Sequence, residues 1–129
     1  MRASLKYLVG LLLPVLAVCA CSPQKSLAHR LARADRVVAT NLPDGLSITL
    51  TGKEMNKFVQ AVAAGQVERP FVAATAYLQF EFYKGGEHLE TIPTALRVFW
   101  IGDKVYSDPT GALEAITLRY REEHPSWAR

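Results

Sequence analysis

Cysteine is nearly missing from this chain: Cys19 and Cys21 are the only two in 129 residues. They stand one residue apart and near the start, which excludes a disulfide scaffold and a cysteine-built zinc site. A strong charge of one sign is also missing. Fifteen Lys and Arg face twelve Asp and Glu, a net of +3, too small a bias for a nucleic-acid binder. Histidine occurs three times, as His29, His88 and His124, and none has a neighbour at metal-ligand spacing. Ser22, Ser26, Ser47, Ser107 and Ser126 lack the context of a nucleophile elbow. Gly85-Gly86 reads as a hairpin turn, since a phosphate loop needs more glycines leading into a helix. Ser107 with Asp108 reads as helix-start chemistry, and Glu122-Glu123 as a solvated helix end. No catalytic set, metal or cofactor is expected, so the reading is not an enzyme.

What is present is apolar sequence: 50% of the residues are hydrophobic and 21% charged, the balance of a packed globular domain. The N-terminus is different. Arg2 and Lys6 are followed by an uncharged stretch from Tyr7 to Ala20, rich in Leu and Val. It is shorter than the roughly 18 residues that a spanning helix needs, and Pro14 interrupts it. This pattern reads as a secretory signal over residues 1–20. At its end, Val18-Cys19-Ala20-Cys21 resembles the lipobox of bacterial lipoproteins: an aliphatic residue, a tolerant position, a small residue, then cysteine. Cys19 is the rival acceptor, but it would put Val18 in the small-residue place. The resemblance implies cleavage before Cys21, lipidation of Cys21 through a diacylglycerol thioether, palmitate-type acylation, and anchoring to a membrane. Ser22, rather than an Asp, follows the cysteine, which favours the outer membrane, facing the periplasm.

Behind the anchor, residues 21–26 read as an acylated terminus and polar tether, and residues 27–129 as one α+β domain. Leu27 to Arg36 has helical spacing and is basic. Residues 22–36 carry four cations against Asp35, while residues 37–129 carry nine against eleven acids. The positive charge thus lies beside the anchor, where anionic lipid headgroups would meet it. Val37–Thr40 and Leu46–Leu50 read as strands joined by the turn Asn41–Gly45. Thr51-Gly-Lys-Glu54 is a capping box ahead of a helix over 52–64, whose apolar face is Met55, Phe58, Val59, Val62 and Ala63. Gly65 closes it at the position that favours left-handed backbone. Phe71 to Tyr83 reads as a long strand with Val72, Leu78, Phe80 and Phe82 on its floor side. His88–Thr91 returns from the Lys84–Glu87 turn, and Pro93 ends that strand or marks it as an edge. Ala95–Trp100 and Val105–Ser107 read as further strands. Asp108-Pro109 reads as the start of a last helix, packed through Leu113, Ile116, Thr117 and Tyr120, and Pro125–Arg129 as an irregular tail.

The expected fold is therefore an antiparallel sheet of five to six strands with two main helices on one face and a short N-terminal helix. The order strand–helix–strands–helix is similar to the TATA-binding-protein-like topology, in element order alone. Tyr77, Tyr83, Arg97, Phe99 and Trp100 are the candidate partner-binding residues, because helices on one face leave the other for solvent or a partner. The leading expectation is a non-enzymatic envelope lipoprotein that binds another envelope protein, with the membrane as its second partner and no nucleic acid. The alternatives are a periplasmic inhibitor or immunity-type protein, using the 84–87 or 101–104 loop as a plug, and a carrier of lipid or a small molecule.

Overall fold

The computed structural model describes residues 23–68 and 76–125. The expected signal, the lipobox with Cys21, the first part of the Phe71–Tyr83 strand and residues 126–129 lie outside the described residues. Among those described, three helices and seven strands form an α+β domain. The helices are α1 (Pro23–Leu31), α2 (Gly52–Ala64) and α3 (Ala112–Glu123). The strands are β1 (Arg36–Asn41), β2 (Ser47–Thr49), β3 (Gln66–Val67), β4 (Leu78–Lys84), β5 (Glu87–Ala95), β6 (Val98–Ile101) and β7 (Lys104–Ser107). They make one sheet in the order β2-β1-β4-β5-β6-β7-β3, and every pairing is antiparallel.

Side chains alternate across a strand, so each strand offers the sheet one apolar row. Leu78, Phe80 and Phe82 of β4 are fully buried, as are Val37 and Ala39 of β1. All three helices pack on this face. The Phe58 ring of α2 lies 4.6 Å from that of Phe80 and 5.2 Å from that of Phe82, centroid to centroid. Leu27 and Leu31 of α1, and Leu113, Ile116 and Tyr120 of α3, join the same core. Leu78, Phe80 and Phe82 of the expected floor and the expected face of α3 are thus observed, while Val72 lies outside the described residues. On α2, Phe58 and Val62 are buried as expected, Met55 and Val59 are half-buried, Ala63 is exposed and Ala61 is buried in its place.

Helix α2 begins as its sequence dictates. Thr51 Oγ1 accepts from the Glu54 amide, and Glu54 Oε1 accepts from the Thr51 amide. Its other end differs from expectation. Gly65 has φ −58°, which any residue adopts. Its smallness serves packing instead, because the Phe99 ring and the Gln24 side chain crowd it.

Other elements also correct the expectation. Residues 23–26 are no tether: they form the first turn of α1. Pro23 suits the first helical position, where its missing N–H costs nothing. Gln24 Nε2 then donates to the carbonyls of Val62 and Gly65, at 3.1 and 2.5 Å, docking α1 on the end of α2. The helix expected over Leu27–Arg36 therefore starts earlier and ends at Leu31. Strand β5 runs through Pro93 to Ala95. The β5–β6 ladder holds only Thr94–Phe99 and Ala95–Val98, so at Pro93 that side of the strand has no partner carbonyl left without a donor. Ala95–Trp100 is not one strand, since Leu96 and Arg97 turn the chain between β5 and β6. The last helix starts at Ala112, not Pro109, with Gly111 and not Asp108 at its N-cap, although Asp108 Oδ2 still accepts from the Leu113 amide at 3.0 Å. The edge strand β3, paired to β7 through Gln66–Ser107 and Val67–Tyr106, has no counterpart in the expected order.

Candidate functional site

The register defines the second face of the sheet. β1 contributes Arg36 and Val38, β4 contributes Gln79, Glu81 and Tyr83, and β6 contributes Trp100. The helices pack on the opposite face, against Val37, Ala39, Leu78, Phe80 and Phe82. Arg36 is exposed, and Glu81, Tyr83 and Trp100 are half-buried.

An irregularity shapes the end of this face beside the β4–β5 turn. Gly85 and Gly86, both with positive φ, make a two-residue turn that pairs Lys84 with Glu87 and Tyr83 with His88. One step on, the register shifts, and Glu81 pairs with Thr91. Residues 88 and 91 differ by an odd number, so a regular strand would send them to opposite faces. The bulge, with Leu89 as the extra residue, brings both to the open face. His88 Nε2 lies 2.5 Å from Glu81 Oε2 and 2.9 Å from Thr91 Oγ1. Thr91 Oγ1 donates to Glu81 Oε2 at 2.6 Å, and Gln79 Nε2 donates to Glu81 Oε1 at 2.6 Å. Burial raises the Glu81 carboxyl, but the hydrogen bonds from Thr91, Gln79 and His88 outweigh it and hold the group below its ordinary range. The Tyr83 ring meets His88 edge-on at 5.6 Å, and the Arg36 guanidinium sits 4.2 Å over the Tyr83 ring.

This cluster does not assemble a nucleophile and base in series. Glu81 and Thr91 both meet Nε2 of His88, whereas a relay needs its carboxylate on the other ring nitrogen. Among the described residues, no three His, Cys, Asp or Glu side chains converge on a metal position. The arrangement is a held array of aromatic, cationic, carboxylate and amide groups.

Beside it the sheet opens. Where β5 and β6 part, a cleft of about 480 Å³ lies between α1 and the two strands. Pro23, Leu27, Ile92, Trp100 and Ile101 supply apolar walls, and Arg30 pairs with Glu90 along it.

The candidate residues fare differently. Tyr83 lies on the open face at the end beside the β4–β5 turn, and Trp100 lines the cleft. Tyr77 is 42% exposed but stands six residues from Tyr83, about 20 Å along an extended chain. Its amide is tied to Thr94 at the other end of the sheet. Phe99 must be withdrawn: it faces the helices, is fully buried, and stacks on Tyr106 at 5.4 Å. Arg97 is exposed, but it sits in the β5–β6 turn and pairs with Glu114 of α3 at 3.0 Å, apart from the cluster around Tyr83. Arg36, His88 and Thr91 were not foreseen as members. The Gly-Gly turn is the sequence signal that could have found His88, since it fixes the partner of Tyr83. No helix among the described residues is long and apolar enough to cross a membrane. No protein-family model, curated protein or solved structure matches the chain.

Proposed function

We propose that this chain is a small lipoprotein of the bacterial cell envelope, anchored through Cys21 to the outer membrane and facing the periplasm. We propose further that it acts by binding another envelope protein, not by catalysis. The carrying observation is the open sheet face, where Tyr83, Arg36, His88 and Trp100 stand opposite the side that holds all three helices. Tyr, Trp and Arg supply most of the energy at protein interfaces, through large area and few rotamers. The bulge supports this reading, because it aims His88 and Thr91 at the same surface.

A photo-crosslinking side chain placed at position 83 tests it in intact cells. A discrete crosslinked partner from position 83, absent when the probe replaces exposed Leu118 on α3, supports the reading. Equal or no crosslinking from the two positions refutes it. The cleft favours a second reading, a carrier of lipid or a small apolar ligand, because its 480 Å³ falls within the range of ligand sites. Ligand that co-purifies with the chain and is lost in Ile92→Asp, without a protein crosslink, would select that reading.

A further inference from the structure

Helix α1 joins the expected anchor to the domain without slack. Pro23 is two residues after Cys21, so the helix starts within roughly 7 Å of it along the chain. Gln24 locks that first turn to α2, and Leu27, Ala28 and Leu31 bury the inner side. The solvent side is cationic. Lys25 and His29 stand one turn apart, and Arg33 continues the row in the turn that follows. Arg30 lies alongside and is balanced by Glu90. The helix itself contains no acidic residue.

We infer that the basic side of α1 lies on the anionic phospholipid headgroups of the bilayer that holds Cys21, so that the domain meets the membrane in one orientation. This rests on the anchoring of Cys21 proposed above. Two things carry it: charge complementarity and reach. The Debye length at physiological salt is about 8 Å, comparable to the spacer between Cys21 and the helix. Lys25 and Arg33 are therefore held where an anionic surface attracts them, and each such cation changes surface affinity roughly fivefold. A flexible tether would let these charges leave the surface, but a docked helix does not.

The full chain is reconstituted in phosphatidylcholine vesicles, with and without phosphatidylglycerol, and treated briefly with acetic anhydride. Mass spectrometry reads acetylation of Lys25 against that of Lys57, an exposed residue on α2 that faces the start of α3. Lys25 should react severalfold more slowly on the anionic vesicles, with Lys57 unchanged. High salt or Arg33→Glu should restore its rate. Equal Lys25 rates on both vesicles overturn the inference. Palmitate labelling of Cys21 is scored separately. Its absence would refute the anchor, whereas equal Lys25 rates on palmitate-labelled protein would refute the placement of α1 alone.

Discussion

Gly65 lies directly against Phe99: a Cβ built on Gly65 would fall 2.5 Å from Cζ of that ring. Phe99 cannot yield easily, because it is fully buried and stacked on Tyr106. The glycine is required here by space and not by backbone angle.

Gly65→Ala should therefore destabilise the domain by about 1–3 kcal/mol, the usual cost of overpacking. Phe99→Leu in the same chain should recover part of that loss by removing the ring edge. Thermal unfolding of the three proteins decides it. A Gly65→Ala protein as stable as the parent would show that the ring moves aside freely.

How much of this was legible in sequence depended on whether the signal was local. The capping box at Thr51 and Glu54 and the alternation Leu78, Phe80, Phe82 need only neighbours, and both appear as read. The β5–β6 turn was not legible, because Leu96 takes φ +52° where glycine or asparagine normally announces such a turn. Phe99 and Trp100 were both read as candidates, yet as neighbours on a strand they point to opposite faces, and only the ladder Phe99–Tyr106 says which is inside. The Glu81–His88–Thr91 cluster depends on a bulge, which adds one residue to the count and shifts the faces beyond it. The docking of Gln24 on Val62 and Gly65 links positions about forty apart, and no local pattern at residues 22–26 encodes it.

A second prediction concerns acid. Arg119 grips Glu54 with two hydrogen bonds, at 2.6 and 2.9 Å, and also donates to the Thr49 carbonyl at 2.8 Å. This ties the start of α2 to α3 and β2. Burial raises the Glu54 carboxyl, but the Arg119 and Thr51 hydrogen bonds and the Arg119 charge outweigh it, so the folded value lies below the ordinary 4.5. A carboxylate lowered in the folded state stabilises fully above its unfolded value and loses that contribution as pH falls through the folded one. Glu54→Gln keeps the backbone cap and removes the charge. It should be less stable than the parent at neutral pH, with the gap closing as pH drops below 4.5. Urea unfolding across that window measures the gap, and a gap that stays constant with pH would contradict the assignment.

The anchor makes a third. Cys21→Ala should abolish palmitate incorporation and leave an uncleaved precursor, whereas Cys19→Ala should be processed normally. Labelling that survives the first substitution and fails in the second would make Cys19 the acceptor.

The last prediction separates the two tyrosines. Tyr83 holds Arg36 over its ring at 4.2 Å and His88 at its edge. Cation–π contact at a partly exposed site contributes about 0.5–1 kcal/mol. Tyr83→Ala should thus cost roughly 1 kcal/mol, leave the domain folded, and free the Arg36 and His88 side chains from their fixed places. Tyr77 is 42% exposed, and Tyr77→Ala should alter stability by no more than about 1 kcal/mol. If the open face binds a partner through the array around the bulge, Tyr83→Ala weakens capture strongly and Tyr77→Ala leaves it nearly unchanged. Tyr83→Phe should bind like the parent, because the ring and not the hydroxyl carries Arg36. Equal loss from Tyr77→Ala and Tyr83→Ala would move the contact surface away from the bulge, and an unfolded Tyr83→Ala would make Tyr83 part of the core.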